Sequence, residues 1–209
     1  AGGTGELLDN LDCQDVVTFS GSADTALHLR DNANRRAKAV RFTAEQDSLN
    51  ASVLGPDAIP GTPEFDLFIK ETVTEMTTKA GQKCTAIRRI MAPEAQVEAV
   101  IDALSQKLSN ITVGDPREKD TQMGALVSNK QKMDVLAMSA RIAMQAERVF
   151  GDPDSFAMAD SPGAFLPPIL FHCADPDTAT VVHDVEAFGP VSTVMPSRGL
   201  NHASTLLNK

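Results

Sequence analysis

With 209 residues, the chain is long enough for one ample domain or for parts of two. Its content of 42% hydrophobic and 22% charged residues is ordinary for a folded soluble protein. A net charge of −9 argues against a nucleic acid or an anionic membrane as a partner. No apolar run reaches the ~20 residues of a membrane span, and no signal peptide is visible.

The cysteines and histidines predict neither a disulfide framework nor a metal site. Cys13, Cys84 and Cys173 are an odd number, widely spaced and without a Cys-x-x-Cys pair. The four histidines are scattered without ligand spacing. A reducing cytoplasm therefore fits best. Because the chain begins at Ala1 rather than at a methionine, we expect an internal piece of a longer protein.

Predicted strands and helices alternate along the chain. Residue patterns predict strands at 15–20, 38–44, 49–54, 86–91, 165–171 and 191–195. Helices are predicted at 23–32, 65–77, 93–108, 129–147 and 201–207, with loops at 55–63 and 183–190. Two prolines in 165–171 suggest an edge position for that strand. The alternation predicts an α/β fold with mainly parallel pairing.

The stretch 79–89 puts Cys84 at the junction between an amphipathic helix and a strand. Gly81 lets the backbone turn where the helix ends. With backbone N–H groups nearby and with Lys83 and two arginines flanking it, the thiol could react as a thiolate. Alternatively, Cys84 is a small buried hydrophobic residue, as free cysteines often are. The local features leave both interpretations open.

Three further features have both a chemical and a structural interpretation. Gly21 and Ser22 join a strand to a helix, where backbone amides and the Ser22 hydroxyl could hold a phosphate, although such junctions are common. Glu45 ends a strand and is either a general base toward water or a solvated charge. In the turn 184–190, Glu186 precedes Phe188; the acid could accept hydrogen bonds from a sugar hydroxyl, or the turn is an ordinary acidic loop.

Taken together and in order, these motifs resemble those of the aldehyde dehydrogenase superfamily: Phe19-Ser20-Gly21-Ser22, Glu45, Gly81-Gln82-Lys83-Cys84 and Glu186-Ala187-Phe188-Gly189-Pro190. The interval from Glu45 to Cys84 (84 − 45 = 39 residues) is close to the one the family keeps. The runs 7–12, 45–50 and 75–89 are similar to one branch. Its members are bifunctional bacterial enzymes of phenylacetate degradation, which couple an oxepin-CoA ring-opening hydratase to a semialdehyde dehydrogenase.

The resemblance implies an organisation and a setting for the chain. Residues 1–45 would be the end of a Rossmann-type NAD(P)-binding domain, and residues 46–209 an α/β catalytic domain truncated at its C-terminal end. The full-length protein would be a cytoplasmic homo-oligomer, and the resemblance to this branch implies a fused hydratase domain. The aldehyde would be a CoA-linked semialdehyde.

The resemblance also implies a covalent mechanism. The Cys84 thiolate would attack the aldehyde and give a thiohemiacetal, a hydride would leave to the nicotinamide of NAD or NADP, and a thioester would remain. Glu45 would activate water to release the acid. Glu186 would hold the nicotinamide ribose, Phe188 would line the nicotinamide side, and Gly21 and Ser22 would lie near the pyrophosphate. The backbone N–H of Cys84 would supply half of an oxyanion hole.

The sequence departs from the family pattern beside Glu45 and in the helix after Ser22. Asp47 and Ser48 stand where most members have two glycines, and Ala26 stands where a glycine is usual. Most of the cofactor pocket would precede Ala1, so we expect the isolated chain to be inactive or weakly active.

One alternative function is that of a CoA-acylating semialdehyde dehydrogenase. Glu45 argues against it, because a thiol acceptor needs no carboxylate to activate water. The other is a non-catalytic piece that serves packing and oligomerisation.

Overall fold

The structure, a computed structural model, describes residues 6–158 and 161–209. The chain divides into two compact units, Ala1–Ser48 and Leu49–Lys209. The boundary between the units lies three residues after Glu45, between Ser48 and Leu49. Which unit serves the cofactor and which serves the chemistry stays a prediction.

The first unit contains a parallel pair of strands with two helices between them. Strand β1 (Val16–Ser20) is followed by helices α1 (Ala23–Arg30) and α2 (Ala33–Ala37) and by strand β2 (Arg41–Glu45). The register of the pair runs from Val16 opposite Arg41 to Ser20 opposite Glu45. Ser22 is the N-cap of α1, since its Oγ accepts a hydrogen bond from the Thr25 amide at 3.3 Å.

The second unit is built on a five-stranded sheet of order β3-β4-β7-β6-β5. Its strands are β3 (Ala51–Val53), β4 (Arg89–Pro93), β5 (Glu147–Phe150), β6 (Ile169–His172) and β7 (Val191–Ser197). All neighbouring strands pair in parallel except β5 and β6. Its helices are α3 (Pro63–Thr77), α4 (Val97–Leu108), α5 (Asn129–Ile142), α6 (Val181–Asp184) and α7 (Leu200–Leu207). The predicted α/β class with mainly parallel pairing is confirmed.

Apolar side chains cover both faces of this sheet. Along β6, Ile169 and Phe171 join one cluster with α5 and α6, whereas Leu170 joins the cluster with α3 and α4. Met195 and Val194 of β7 divide between the same two clusters. Because successive side chains of a strand point to opposite faces, a sheet with helices on both sides needs such continuous apolar runs.

Helix α3 leads the chain toward the cysteine. Thr62 caps it by accepting a hydrogen bond from the Phe65 amide at 3.3 Å, and Pro63 occupies its first turn, where no amide partner is needed. Buried Phe65, Ile69, Val73 and Met76 recur at helical spacing. The apolar stripe therefore fixes the point at which α3 ends and the cysteine loop begins.

Two of the predictions for the second unit were wrong. The strand with two prolines is not at an edge, because β6 pairs with both β5 and β7. Pro167 and Pro168 precede the strand, so they remove no ladder donor. The helix predicted at 129–147 ends at Ile142; a turn follows, and Glu147 is already the first residue of β5, paired with β6. Within the described residues, no helix is both long and apolar enough to cross a lipid bilayer.

Candidate active site

A left-handed turn separates α3 from Cys84. Lys79, Ala80 and Gly81 have φ values of 54°, 52° and 67°, a conformation that non-glycine residues rarely adopt. At Gly81 the space is closed as well. A Cβ there would collide with the Gly189 carbonyl and lie 2.8 Å from the Pro190 nitrogen. The turn therefore packs backbone to backbone against the segment that follows Phe188.

Cys84 is exposed on the loop after this turn. The alternative in which Cys84 is a buried hydrophobic residue is therefore wrong. Cys13 is also exposed, whereas Cys173 is buried, and burial raises the pKa of the Cys173 thiol. Exposure distinguishes Cys84 from Cys173 but not from Cys13.

The side chains of Asn50 and Glu75 anchor the cysteine loop through hydrogen bonds. Asn50 Nδ2 donates to the backbone carbonyl of Cys84. The backbone carbonyl of Asn50 accepts from the amides of Arg88 and Arg89 at 2.9 and 3.1 Å. Glu75 of α3 accepts from Lys83 Nζ at 2.8 Å and from Thr85 Oγ1 at 3.4 Å. The Lys83 charge is thus paired with a carboxylate rather than standing alone beside the thiol.

The remaining fixed points of the loop are Gln82 and Arg88. Gln82 Oε1 accepts from the Val127 amide at 2.9 Å. Arg88 Nη2 donates to the Gly81 carbonyl at 2.8 Å. The residues on either side of Cys84, Lys83 and Thr85, are both bound to Glu75. The loop therefore holds Cys84 in a defined place, which is what a nucleophile requires.

The turn that holds Glu186 and Phe188 is joined to the same arginine. Arg88 Nε donates to Glu186 Oε1 at 3.2 Å, and Nη1 donates to the Gly189 carbonyl at 2.6 Å. The side chains of Arg88 and Glu186 are only 4% and 9% exposed. Burial lowers the pKa of Arg88, and Glu186 opposes that shift by favouring the charged guanidinium.

Phe188 gives this turn an exposed aromatic surface. Its ring lies 5.5 Å from the Arg88 guanidinium carbon, a distance at which a cation and an aromatic face attract. Gln131 of α5 fixes the backbone by donating to the Phe188 carbonyl at 3.1 Å. The ring itself is 37% exposed, so it can contact a ligand.

In the first unit, Glu45 lies beside the Gly21-Ser22 turn. Glu45 is exposed at the end of β2, and its carbonyl accepts from the Gly21 amide at 3.1 Å. Asp47 Oδ1 accepts from the Ala23 amide at 3.2 Å, at the N-terminus of α1. The Asp47 carboxylate therefore already accepts a hydrogen bond from one of the amides that the phosphate hypothesis requires. Asp47 stands where most of the superfamily has glycine.

The structure thus gathers the predicted site residues into two groups. Gly21, Ser22 and Glu45 share one edge of the first unit. In the second unit, the cysteine loop is joined to Glu186 and Phe188 through the Gly81 packing and Arg88. Within the described residues, no group of three or more His, Cys, Asp and Glu side chains could hold a metal ion.

Asn50 has no predicted role, and Arg88, predicted as a charge flanking Cys84, instead binds Glu186 and the Gly81 and Gly189 carbonyls. Arg88 does carry a signal in the sequence. Together with Arg89, it interrupts an otherwise apolar stretch, and both arginines are buried. Charged residues are rarely buried without partners. Two adjacent charges in such a stretch therefore indicate buried polar partners for the arginines, but they do not identify those partners.

In the second unit, a mixed sheet flanked by helices carries the exposed Cys84 loop and, joined to it through Arg88, a turn with a buried acid and an exposed aromatic side chain. Residues 3–209 match the aldehyde dehydrogenase family, and the chain belongs to that family.

Relatives and solved structures agree with this assignment. The chain is 48% identical to the 3,4-dehydroadipyl-CoA semialdehyde dehydrogenase of Aromatoleum evansii over 198 residues, which are 93% of this chain and 38% of the relative. It resembles betaine aldehyde dehydrogenase from Staphylococcus aureus, solved with NAD+, with a TM-score of 0.79 and 26% identity, covering 93% of this chain and 37% of that one. An aldehyde dehydrogenase from Pseudomonas syringae, solved with NAD+ and octanal, matches in fold with a TM-score of 0.81 and 24% identity. The match covers 93% of this chain and 38% of that one. The chain thus spans about two fifths of the length of the relatives it matches.

Proposed function

We propose that this chain carries the nucleophile and the base of an NAD(P)-dependent aldehyde dehydrogenase. Cys84 is the nucleophile, and Glu45 is the base that activates water. The observation that carries the proposal is the exposed Cys84 on a loop held by Asn50, Glu75 and Arg88. A thiol that served only packing would need neither exposure nor anchored neighbours.

The proposed chemistry has three steps: addition, hydride loss and hydrolysis. The Cys84 thiolate adds to the aldehyde carbon, and the backbone N–H of Cys84 is the donor proposed for the oxygen that becomes negative. Loss of hydride leaves a thioester on the sulfur. Water, deprotonated by Glu45, attacks that thioester, and the acid leaves while the thiol is restored. Bound NAD(P) supplies the hydride acceptor.

Each unit contains residues that the resemblance predicts to bind that cofactor. Glu186 would accept hydrogen bonds from the nicotinamide ribose, and the exposed ring of Phe188 would line the nicotinamide side. Gly21 and Ser22 would lie near the pyrophosphate. The fit is better on the Glu186 side, because the Ala23 amide at the Ser22 turn already binds the Asp47 carboxylate. A phosphate there would have to displace or adjoin an anion.

The proposed substrate is a CoA-linked semialdehyde. Its support is the 48% identity to a relative named for such a substrate and the resemblance to the phenylacetate-degradation branch. A homo-oligomeric state, a fused hydratase domain, a cytoplasmic location and the boundary between the cofactor and catalytic parts stay predictions from that resemblance. A second candidate function, acyl transfer to CoA instead of to water, differs only in the final acceptor.

Replacement of the base distinguishes the two acceptors. In the protein expressed from its complete reading frame, Glu45→Gln should abolish acid formation if water is the acceptor, since no carboxylate is left to deprotonate it. Products are measured by chromatography with and without added CoA. Glu98→Gln, at an exposed position of α4, is the control and should leave the rate unchanged. Acyl-CoA formed at an undiminished rate by Glu45→Gln would instead support the CoA-acylating function.

A further inference from the structure

Arg88 is a buried cation with acceptors on both sides of the proposed site. Nη2 binds the carbonyl of Gly81 in the cysteine loop, while Nε and Nη1 bind Glu186 and the Gly189 carbonyl in the turn. The same guanidinium lies 5.5 Å from the centroid of the Phe188 ring. One planar group therefore links the loop of the proposed nucleophile to the turn of the proposed cofactor ligands.

Stability alone does not explain a cation at this position. Removing a charge from water is unfavourable, and apolar replacements of buried ion pairs are often as stable or more stable. Burial lowers the pKa of Arg88, which records the same penalty. What an apolar side chain cannot reproduce is a rigid fork of donors that sets the directions of several acceptors at once.

We propose that Arg88 is a positioning residue for the cofactor. By donating to Glu186 Oε1, it fixes the orientation of the carboxylate that would receive the nicotinamide ribose. By donating to the Gly81 and Gly189 carbonyls, it sets that carboxylate relative to the loop that carries Cys84. The inference rests on the proposed function, because it assigns Arg88 an effect through Glu186 on cofactor binding.

The neighbouring Arg89 provides a matched control. It is also buried, but Nε donates to the Leu49 carbonyl at 3.0 Å and Nη1 to the Leu206 carbonyl at 3.2 Å. Nη2 binds the Leu207 carbonyl at the end of α7. Nη1 also lies 3.3 Å from Nδ1 of His183 in α6. None of these partners is Glu186 or Gly189. Loss of Arg89 should therefore affect stability without a specific effect on the cofactor.

The test uses the protein expressed from its complete reading frame and measures NAD(P)H formation with a CoA-linked semialdehyde. Steady-state kinetics give kcat and the cofactor KM for Arg88→Met, Arg88→Lys and Arg89→Met, and thermal unfolding gives Tm for each. Arg88→Met should raise the cofactor KM about tenfold or more, the size expected for a lost hydrogen bond between charged groups. Arg88→Lys keeps the charge but not the fork, so its KM should be intermediate. Arg89→Met should lower Tm while its KM stays within about twofold.

A double variant determines whether Arg88 acts through Glu186. In a Glu186→Gln background, Arg88→Met should raise the cofactor KM much less than in the unmodified protein. If Arg88→Met does not fold, Arg88→Lys gives the same comparison. Equal effects in both backgrounds, or a loss of Tm with unchanged KM as in Arg89→Met, would overturn the inference and leave the proposed function intact. If the unmodified protein forms no NAD(P)H, the proposed function fails, and this inference fails with it.

Discussion

The backbones of Gly81 and Gly189 are packed so closely that no side chain fits at Gly81. The added Cβ would collide with the Gly189 carbonyl, and Gly81 has φ +67°. Gly189 is in turn covered by Val135 of α5, whose methyl carbon lies 2.8 Å from where a Cβ would stand. This contact relates the cysteine loop to the Glu186 turn through the backbone, independently of Arg88.

Gly81→Ala should therefore be strongly destabilising. It combines the strain of a left-handed alanine, roughly 1–2 kcal/mol, with a collision against backbone that cannot rotate away. We expect a loss of more than about 2 kcal/mol in the free energy of unfolding, measured by denaturant titration. Gly61→Ala is the control. Gly61 has φ +91° but nothing within 4 Å of the added Cβ, so only the strain of roughly 1–2 kcal/mol should remain. Equal losses for both variants would contradict the close packing.

The three cysteines should differ in their rates of alkylation. Cys84 and Cys13 are exposed, so both are accessible to iodoacetamide, whereas Cys173 is buried and its pKa is raised by burial. If the anchored loop activates the thiol, Cys84 should react at least about tenfold faster than Cys13, and Cys173 should react last. Peptide mass spectrometry measures all three in one sample. Equal rates at Cys84 and Cys13 would support the non-catalytic alternative.

The ion pairs of Asp177 should make stability depend on acid. Hydrogen bonds from His202 at 2.9 Å and Arg198 at 2.7 Å hold the pKa of Asp177 at about 2. Because the folded pKa lies below the ordinary value of 3.8, this contribution is present above that value and is lost as pH falls toward about 2. Asp177→Asn should flatten the acid side of the stability curve, measured by thermal unfolding from pH 2 to pH 6. Asp102→Asn, at an exposed position of α4, should keep the slope of the unmodified protein.

Much of the fold was predictable because local patterns agree with tertiary packing. The apolar stripe of α3 and the alternation of strands and helices gave the class and the elements that carry Cys84. Strand β5 was not predictable from its own residues, because Glu147–Phe150 becomes a strand only by pairing with β6. The edge position suggested for β6 was wrong because the two prolines precede the strand rather than interrupt it.

The site was predictable where residue type carries the chemistry and unpredictable where distant chain segments meet. Cys84, Glu45 and Glu186 stand out through motif order. The links around them depend on long-range contacts: Asn50 with the Cys84 carbonyl, and Arg88 with Glu186. No periodicity records which carbonyl a buried guanidinium will meet. The exchange of a family glycine for Asp47 was visible in the sequence, but its bond to the Ala23 amide was not.

The central claim is that the aldehyde becomes a thioester on Cys84. The most direct measurement is peptide mass spectrometry of the Glu45→Gln protein, expressed from its complete reading frame and mixed with NAD(P) and a CoA-linked semialdehyde. Because its thioester cannot be hydrolysed efficiently, we expect an acyl adduct on the Cys84 peptide, removed by hydroxylamine and missing when the cofactor is omitted. An adduct on Cys13 instead, or acid formation that continues in Cys84→Ala, would contradict it.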